Sequence, residues 1–519
     1  MITLTLLFTI VLTTFTNTNI ESIKTTSRLL LTSLIYTIVL NLMDYNIIMG
    51  DQMYYIYNGL LMINSTNYIM TLLMLIVTIY YISIMANNIT SIKYYDNLIY
   101  NNKLLIIIIA FNTLGLMLLT QINDLMLLFM IIETQSYSLY MMTSLFNKSI
   151  NTLKAGLFYF MVGSIGSLLM LDSTMSMYDE TGLTNIQYIM TLFYPNTFSG
   201  LEYNQLLGAP WLFIIIGIFI KTGLAPFFNY SIVIYTLAPT IITYYISLLP
   251  KLSLLTIMNM FMYFLNSPNY IEYVNYINIL IVTSLFIGSI GGTNVIKIKT
   301  LLAYSSLLNM TYMIMTIINN YNNYYPMLTY FYYIAQYSMM HLLMFNIMLI
   351  MPVYTSINIL PNSTNNSHAN NIILSKYSPI EFISQFTNLI NSKGIFLAIS
   401  LTMALFSLIG IPPIIGFYGK TLITINTTNN SNMTFAMLIV IVSSMSMFYY
   451  SNMIKTIWFN TNSNTNNNIY SNNTNISNKV ELLQLNNITY IMSMTTLMSM
   501  FSFMEYNNMT RGLYMMLYN

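Results

Sequence analysis

Three lysines and one glutamate stand in stretches that otherwise carry almost no charge. Glu133 lies in LLFMIIETQSYSLYMM, Lys221 in GIFIKTGLAPFFN, Lys251 in YYISLLPKLSLL and Lys420 in FSLIGIPPIIGFYGK. A lysine at the centre of a bilayer costs about 2.5–3.5 kcal/mol on insertion scales. Each therefore needs a partner, a water-filled cavity or a neutral state. Low dielectric disfavours the charged form of amines and carboxylates alike, and groups held near that balance exchange protons close to neutral pH. The chemistry on offer is proton transfer. Glu133 is the carboxylate placed mid-helix, with Ser136, Tyr137 and Tyr140 on its face at i+3, i+4 and i+7. A Glu–Lys pair that only ties two helices together is the alternative.

Prolines mark where these charges sit. Lys221 precedes Gly223 and Pro226, whereas Lys420 follows Gly410, Pro412 and Pro413. Proline inside a helix removes a backbone hydrogen bond and kinks or breaks the helix. Carbonyls freed in this way are tolerated at membrane depth only against protein or water. A lysine beside such a break is how discontinuous helices build ion sites near the midplane. Lys251 follows Pro250 in the stretch between the two breaks, placed either to connect them or to snorkel from a shorter helix. Lys154, in NTLKAGLFYF, reads equally as an interfacial anchor or as a functional group. His341, in QYSMMHLLMF, is a proton relay or a histidine bonded to a neighbouring helix. Asp172 reads as interfacial.

The elements that position these groups follow from composition. The chain has 519 residues, 56% hydrophobic and 6% charged, with a mean hydropathy of +0.64; soluble domains carry roughly 25% charged residues. This is no soluble enzyme. A net charge of +2 is too weak a field to gather nucleic acid. The absence of cysteine excludes disulfides, thiolate-bound iron–sulfur clusters and cysteine zinc sites in this chain. His341 and His368 are too few for bis-histidine haems or a haem–copper centre, so no redox centre is expected here. Neither a GxGxxG fingerprint nor a GxxxxGK[ST] loop is present. The glycine pairs GSIGS and GSIGG, starting at Gly163 and Gly288, suit helix packing instead. The surplus of Met (44) and Tyr (45), with arginine only at Arg28 and Arg511, points to an AT-rich mitochondrial genome. No cleavable presequence is expected, because the chain opens with MITLTLLFTIVLTTF.

A spanning helix needs about 20 mainly apolar residues. Fourteen candidate spans centre near Phe8, Val39, Ile76, Leu114, Met130, Val162, Ile218, Leu248, Leu280, Leu308, Met340, Phe406, Val440 and Met494. They lack the period-two alternation of barrel strands, so the expected fold is an all-α polytopic membrane protein. Twelve of the sixteen basic residues lie in or beside connections leaving odd-numbered spans: Lys24, Arg28, Lys93, Lys103, Lys148, Lys154, Lys297, Lys299, Lys376, Lys393, Lys455 and Lys479. Connections leaving even-numbered spans carry Asp44, Asp51, Asp124, Asp179, Glu180, Glu202 and Glu272. The positive-inside rule predicts this asymmetry, with both termini on the side opposite the basic connections, the intermembrane space in a mitochondrion. Pro352 to Pro379, Asn460 to Lys479 and Asp179 to Gly208 are long polar connections with too few apolar residues for a core of their own. Their N-x-S/T matches follow from asparagine abundance and are not read as glycosylation sites.

The lysine stands before the break in span 7 and after it in span 12. These spans are five apart and run in opposite directions, as two inverted repeats, spans 4–8 and 9–13, would make them. The expected organisation is three spans over 1–100, a first repeat over 101–265, a second over 266–460, and a polar connection, last span and tail over 461–519.

ETQSYSLY, LKAGLFYFMVGSIGS, FIKTGLAPFFNYSIVIYTLAPTIITYYISLLPKLSLL, IKIKTLLAYSSL, YYIAQYS and FSLIGIPPIIGFYGK together resemble the subunit 2 family of mitochondrial NADH:ubiquinone oxidoreductase, respiratory complex I, in its fungal, yeast-like form. The likeness covers nearly everything beyond the first three spans. It implies an antiporter-like fold of about 14 transmembrane helices with two inverted five-helix repeats and broken helices 7 and 12. It further implies a proton-translocating subunit of the inner-membrane arm, driven by electron transfer from NADH to ubiquinone elsewhere. On matching positions Glu133 and Lys221 carry over as the glutamate and its lysine partner, Lys251 as the connecting lysine and Lys420 as the terminal lysine. Lys154 carries over as the sixth-span lysine, and His341 matches no family motif.

The resemblance places NADH, FMN, iron–sulfur clusters and ubiquinone in other subunits, with no cofactor in this chain. It implies subunit 4 on the distal side, small membrane subunits on the quinone side, accessory subunits and lipids as partners. The expected mechanism is electrostatic: closing or opening the Glu133–Lys221 pair changes the proton affinity of the lysine, and a proton passes through Lys251 to Lys420. A standalone cation/proton antiporter of the same fold is the alternative function. A non-pumping spacer is a third reading, against which the intramembrane charges argue.

Overall fold

The computed structural model describes residues 10, 20–43, 54–91, 96–145, 149–192, 201–265, 271–318, 325–356, 381–387, 395–430, 432–459, 486–501 and 510–513. The predicted span around Phe8 lies outside them, as do Asp44, Asp51, Lys93, Lys148, His368, Lys376, Lys393, Lys479 and most of the connections over 352–379 and 460–479. The alternation of basic and acidic connections thus rests on the sequence.

Among the described residues the chain is mainly helical. In order come α1 (Ile20–Met43), the strands β1 (Tyr54–Ile56) and β2 (Leu61–Ile63), α2 (Ser65–Ser91), α3 (Asp96–Leu119), α4 (Leu125–Ser144), α5 (Ile150–Thr181) and α6 (Ile186–Leu192). Next are α7 (Leu201–Thr222), α8 (Asn229–Leu237), α9 (Thr240–Leu265), α10 (Ile271–Gly291), α11 (Ile298–Ile318) and α12 (Tyr325–Ser356). After a 3₁₀ turn (Ile383–Thr387) follow α13 (Ile395–Ile409), α14 (Ile415–Asn429), α15 (Met433–Trp458) and α16 (Asn486–Phe501). Thirteen of the fourteen predicted centres, all but Phe8, fall inside a described helix. Eight described helices are long and apolar enough to cross a membrane, and shorter apolar helices cover Leu104–Leu119, Gly208–Thr222 and Ile395–Ile409. Such helices suit lipid because each satisfies its own backbone.

Burial sorts the helices. Almost every residue of α9 and α11 is enclosed, while α5, α10 and α15 turn one apolar face outward. α9 is packed by α4 and α7 and α11 by α8, α10 and α14, α12 touches both, and α2 and α3 lean on α9. Gly166 and Gly217 meet where α5 crosses α7, which is the packing role expected of GSIGS.

Two features depart from the sequence reading. The β1–β2 hairpin was not expected; its turn passes through Tyr57, Asn58 and Gly59, all at positive φ (55°, 56° and 85°), where an Asn-Gly pair is at home. Gly59 O accepts from Asn123 Nδ2 at 3.0 Å and from Asn185 Nδ2 at 3.1 Å, clamping the hairpin over the connections before α4 and α6. The stretch from Asp179 to Gly208, expected as a polar connection, is partly helical: α5 runs to Thr181, α7 begins at Leu201, and α6 lies between them. Ile186 and Ile189 explain α6, because both are fully buried against the neighbouring elements. Asp124, counted among the acidic connections, caps α4 by accepting from Met126 N and Leu127 N at 2.9 and 3.1 Å.

Candidate functional site

Two helix-to-helix joints organise the interior. α7 ends at Thr222 with Gly223 at φ +77°, and α13 ends at Ile409 with Gly410 at φ +87°; glycine is the residue that takes this conformation without strain. Gly223 N and Leu224 N both donate to Phe219 O, each at 3.0 Å. Gly410 N and Ile411 N both donate to Phe406 O, at 2.9 and 3.2 Å. Phe227 N donates to Leu224 O, and Ile414 N to Ile411 O, in the same relative place. FIKTGLAP and FSLIGIPP therefore fold alike, residue for residue.

Their polar partners differ. Lys221, in the last turn of α7, donates from Nζ to Glu133 Oε1 of α4 at 3.1 Å, an ion pair whose side chains are 7% and 15% exposed. Ser136 donates to Glu133 O at 2.9 Å and keeps its hydroxyl beside the carboxylate. The end of α7 is closed by the Tyr230 hydroxyl, which donates to Ile220 O. A cavity of about 20 Å³ adjoins the pair, lined by Ser136, Tyr140, Gly163, Lys221, Tyr230 and Pro250 among others. That is room for about one water. Tyr140 and Tyr159 meet edge-on at 4.8 Å and Tyr159 stacks on Tyr230 at 6.2 Å, walling the cavity with rings whose hydroxyls supply its polarity. The cavity reaches α9 at Pro250, next to Lys251.

Lys251 is buried at the centre, donating to Ser306 Oγ of α11 at 3.0 Å with its ammonium 5.1 Å from the Tyr235 ring centroid. Both interactions stabilise a cation that has no carboxylate beside it among the described residues. Farther along α11, Asn309 accepts from the Tyr333 hydroxyl at 2.7 Å, and Tyr450 of α15 bonds with Ser305 and Asn309. Tyr312 meets Tyr333 edge-on at 6.0 Å and presents its ring 6.0 Å from Lys420 Nζ. Lys420 itself donates to Leu408 O at 2.7 Å and Ile409 O at 2.8 Å, the last carbonyls of α13. Those carbonyls form the negative end of the helix dipole, a favourable seat for an ammonium.

Glu133, Lys221, Lys251 and Lys420 thus lie along one polar line through the interior. His341 adjoins that line, buried and within the electrostatic reach of Lys251. Lys154 does not join it; it lies exposed near the start of α5, and Asp172 is exposed on the same helix. Tyr137, expected on the face of Glu133, is 51% exposed, because i+4 falls on the outer side of α4 whereas Ser136 and Tyr140 turn inward. Four groups escaped the sequence reading. Ser306 and Asn309 were signalled by small polar residues one turn apart in LLAYSSLLNMTY. Tyr230 carried no signal among so many tyrosines. Lys299, counted as a connection residue, donates to Ala238 O at 2.6 Å and holds the foot of α11 to the end of α8.

The sequence model of the family described as NADH:quinone oxidoreductase/Mrp antiporter, TM, matches residues 122–446. The chain belongs to that family. The match takes in α4 to α14 and the first half of α15, hence all four groups of the polar line. A curated relative within the same resemblance, the NADH-ubiquinone oxidoreductase chain 2 of Rhizopus oryzae, is 31% identical over 354 residues, 68% of this chain and 63% of its own. The chain of the same name from Candida albicans is 32% identical over 369 residues, 70% of this chain and 69% of its own. The chain therefore aligns with somewhat less than two-thirds of the first relative's length. Among solved structures, a chain of respiratory complex I from Thermus thermophilus shares the fold with a TM-score of 0.65 at 19% identity, covering 88% of this chain and 90% of that one. The likeness to fungal chain 2 read from the motifs is borne out by these relatives.

Proposed function

We propose that this chain is a core membrane-arm subunit of a proton-pumping NADH:ubiquinone oxidoreductase in the mitochondrial inner membrane, translocating protons along its buried Glu/Lys line. The Glu133–Lys221 contact at 3.1 Å carries the reading, because a buried pair beside a helix end and a water-sized cavity can open and close on a proton. When the pair opens, Lys221 loses its counter-charge and its hold on a proton weakens; Lys251 and Lys420 then receive the proton in turn. Lys154 acts on this line from a distance. His341 belongs to its central station. NADH, FMN, iron–sulfur clusters and ubiquinone act in other subunits, and subunit 4, small quinone-side subunits, accessory subunits and lipids surround this one.

The finer architecture belongs to the same proposal: fourteen spans, with α7–α8 and α13–α14 as broken helices 7 and 12. The divisions are 1–100, 101–265, 266–460 and 461–519, the middle two being inverted repeats. The matched backbone bonds of FIKTGLAP and FSLIGIPP support it. The alternative, a standalone cation/proton antiporter, shares every feature of the polar line, so the experiment concerns assembly. Mitochondrial membranes are solubilised gently, run on a native gel stained for NADH dehydrogenase activity, and the chain is located by mass spectrometry. A large active band carrying the chain is expected. Finding the chain alone or in a small oligomer would overturn the reading in favour of the antiporter.

A further inference from the structure

Hydrogen bonds join the helix of Glu133 to the helix of Lys251 just past each charged residue. Gln135 follows Glu133 on α4, Ser253 follows Lys251 on α9, and Gln135 Nε2 donates to Ser253 Oγ at 3.1 Å. The Ser253 hydroxyl donates in turn to Pro250 O at 2.8 Å. On its other side α4 is held by α3. Asn112 Nδ2 donates to Gln135 O at 3.2 Å and to Ser138 Oγ, and Ser138 donates back to Gln135 O at 2.6 Å. The circuit closes on α9, where the Tyr245 hydroxyl donates to Asn112 Oδ1 at 2.7 Å. Asn112, Gln135, Ser138, Tyr245 and Ser253 are all buried. A buried polar network whose members are satisfied is rigid and specifies one arrangement of its helices. The end of α7 is tied differently. Among the described residues, the side-chain bonds that reach its last turn from other elements are the Glu133–Lys221 pair and the Tyr230 hydroxyl on Ile220 O. So α4 is anchored to α3 and α9, while α7 meets it through a contact that can open. Gln135 also lines the water-sized cavity beside Lys221, as Pro250 does, so the anchor borders that space.

We infer that Gln135 is a positioning residue, which with Asn112 and Ser253 holds the Glu133 carboxylate in a set place between Lys221 and the helix of Lys251. The inference rests on the proposed function, since it needs the pair to gate a proton. Gln135 carries no proton itself, because a carboxamide does not titrate; its effect is geometric. A 3.1 Å pair beside a cavity for about one water tolerates little drift. A misplacement of about 1 Å can cost on the order of a hundredfold in rate. Without the bond from Gln135 to Ser253, α4 keeps its apolar packing but is free to slide against α9.

The test uses the complete complex in sealed membrane vesicles, with NADH oxidation, proton transfer and complex content read together. Gln135→Met keeps the length of the side chain and leaves the Ser253 hydroxyl on Pro250 O, so it orphans no buried donor. Ser253→Ala removes the same bond from the other helix. Each is expected to assemble with an unchanged KM for ubiquinone and at least threefold less proton transfer per NADH oxidised. The double variant should fall no further than the more severe single one, because both remove one bond. Wild-type transfer in either assembled variant overturns the inference, and so does an additive loss in the double, which is what separate packing effects produce. Complex content that falls while the remaining complex transfers normally also overturns it, since that is the mark of a purely structural bond. If one single variant fails to assemble, the other decides; if neither assembles, the network is structural and the inference falls. Lys221→Met runs alongside. Should it leave transfer intact, the proposed function fails; should it abolish transfer while Gln135→Met and Ser253→Ala do not lower it, only the positioning role fails.

Discussion

At the α7–α8 joint a tyrosine hydroxyl occupies a carbonyl of the last helical turn, Ile220 O, and the lysine of that turn is left to meet Glu133 at 3.1 Å. At the α13–α14 joint the residue matching Tyr230 is Phe417, which has no hydroxyl, and the last-turn carbonyls are taken by a lysine from the following helix, Lys420. One backbone design thus serves two electrostatic situations. Lys221 faces a full negative charge, so opening the pair strands two ions in low dielectric, and the contact has two distinct states. Lys420 faces neutral carbonyl dipoles, so it can give up a proton without leaving a counter-ion behind. On the proposed function, the first joint would act as a switch and the second as a station for the moving proton.

The largest effect should come from a change that only the second joint cannot absorb. A Cβ on Gly416 would lie 1.7 Å from Ser407 O, a backbone atom that cannot swing aside. Gly416→Ala should therefore force α13 and α14 apart and remove the complex from native gels. The matching position in the first joint is Asn229, which already carries a side chain, so Asn229→Ala should assemble. Normal assembly of Gly416→Ala would show that the two joints are less alike in packing than their hydrogen bonds indicate.

Lys420→Arg tests the station. Arginine can still cap Leu408 O and Ile409 O, but it does not deprotonate in proteins. The expected outcome is full assembly with proton transfer in sealed vesicles reduced at least tenfold; wild-type transfer would leave Lys420 a structural cap. Tyr230→Phe makes the first joint resemble the second by uncovering Ile220 O. An unpaired buried carbonyl costs about 1–3 kcal/mol, and Lys221 gains a competing acceptor. Complex melting should fall by a few degrees with a several-fold loss of transfer, and an unchanged melting profile would remove the hydroxyl from the account. Gly163→Ala should act more gently. A Cβ there would meet the tip of Tyr140, 1.8 Å from its hydroxyl, and that ring can turn. Assembly should hold while transfer falls about twofold through the disturbed cavity. Tyr137→Phe, on the exposed face of α4, should change neither quantity.

Much of this arrangement was legible in the sequence because charge is so scarce in it. In a chain with 6% charged residues, a glutamate and three lysines inside apolar runs declare themselves, and the prolines beside Lys221 and Lys420 indicate where helices end. What each lysine bonds to was not legible. Glu133 and Lys221 are 88 residues apart, and only the packing of α4 against α7 through α5 brings them together. The carbonyl seat of Lys420 depends on α14 folding back along the end of α13, which composition does not encode. Tyr230 was lost among 45 tyrosines. The hairpin before α2 was hidden because YYIYNGLLMI reads as part of an apolar stretch, although its Asn-Gly turn was available as a signal. Lys154 read equally as an anchor or a functional group and carried over by the resemblance; its exposed place near the start of α5 was not legible, because charge does not distinguish the inner face of a helix from the outer.

The most direct test of the switch compares Glu133→Gln, Lys221→Met and the double variant, with NADH-driven proton transfer measured in sealed vesicles beside the content of assembled complex. The account predicts normal complex content in all three, because the stranded partner in each single variant becomes neutral rather than remaining a buried ion. Proton transfer should be lost in each single variant and stay lost in the double. Transfer at the wild-type level in any variant would contradict the account. So would complex missing from the single variants and restored in the double, the pattern of a pair that only holds two helices together.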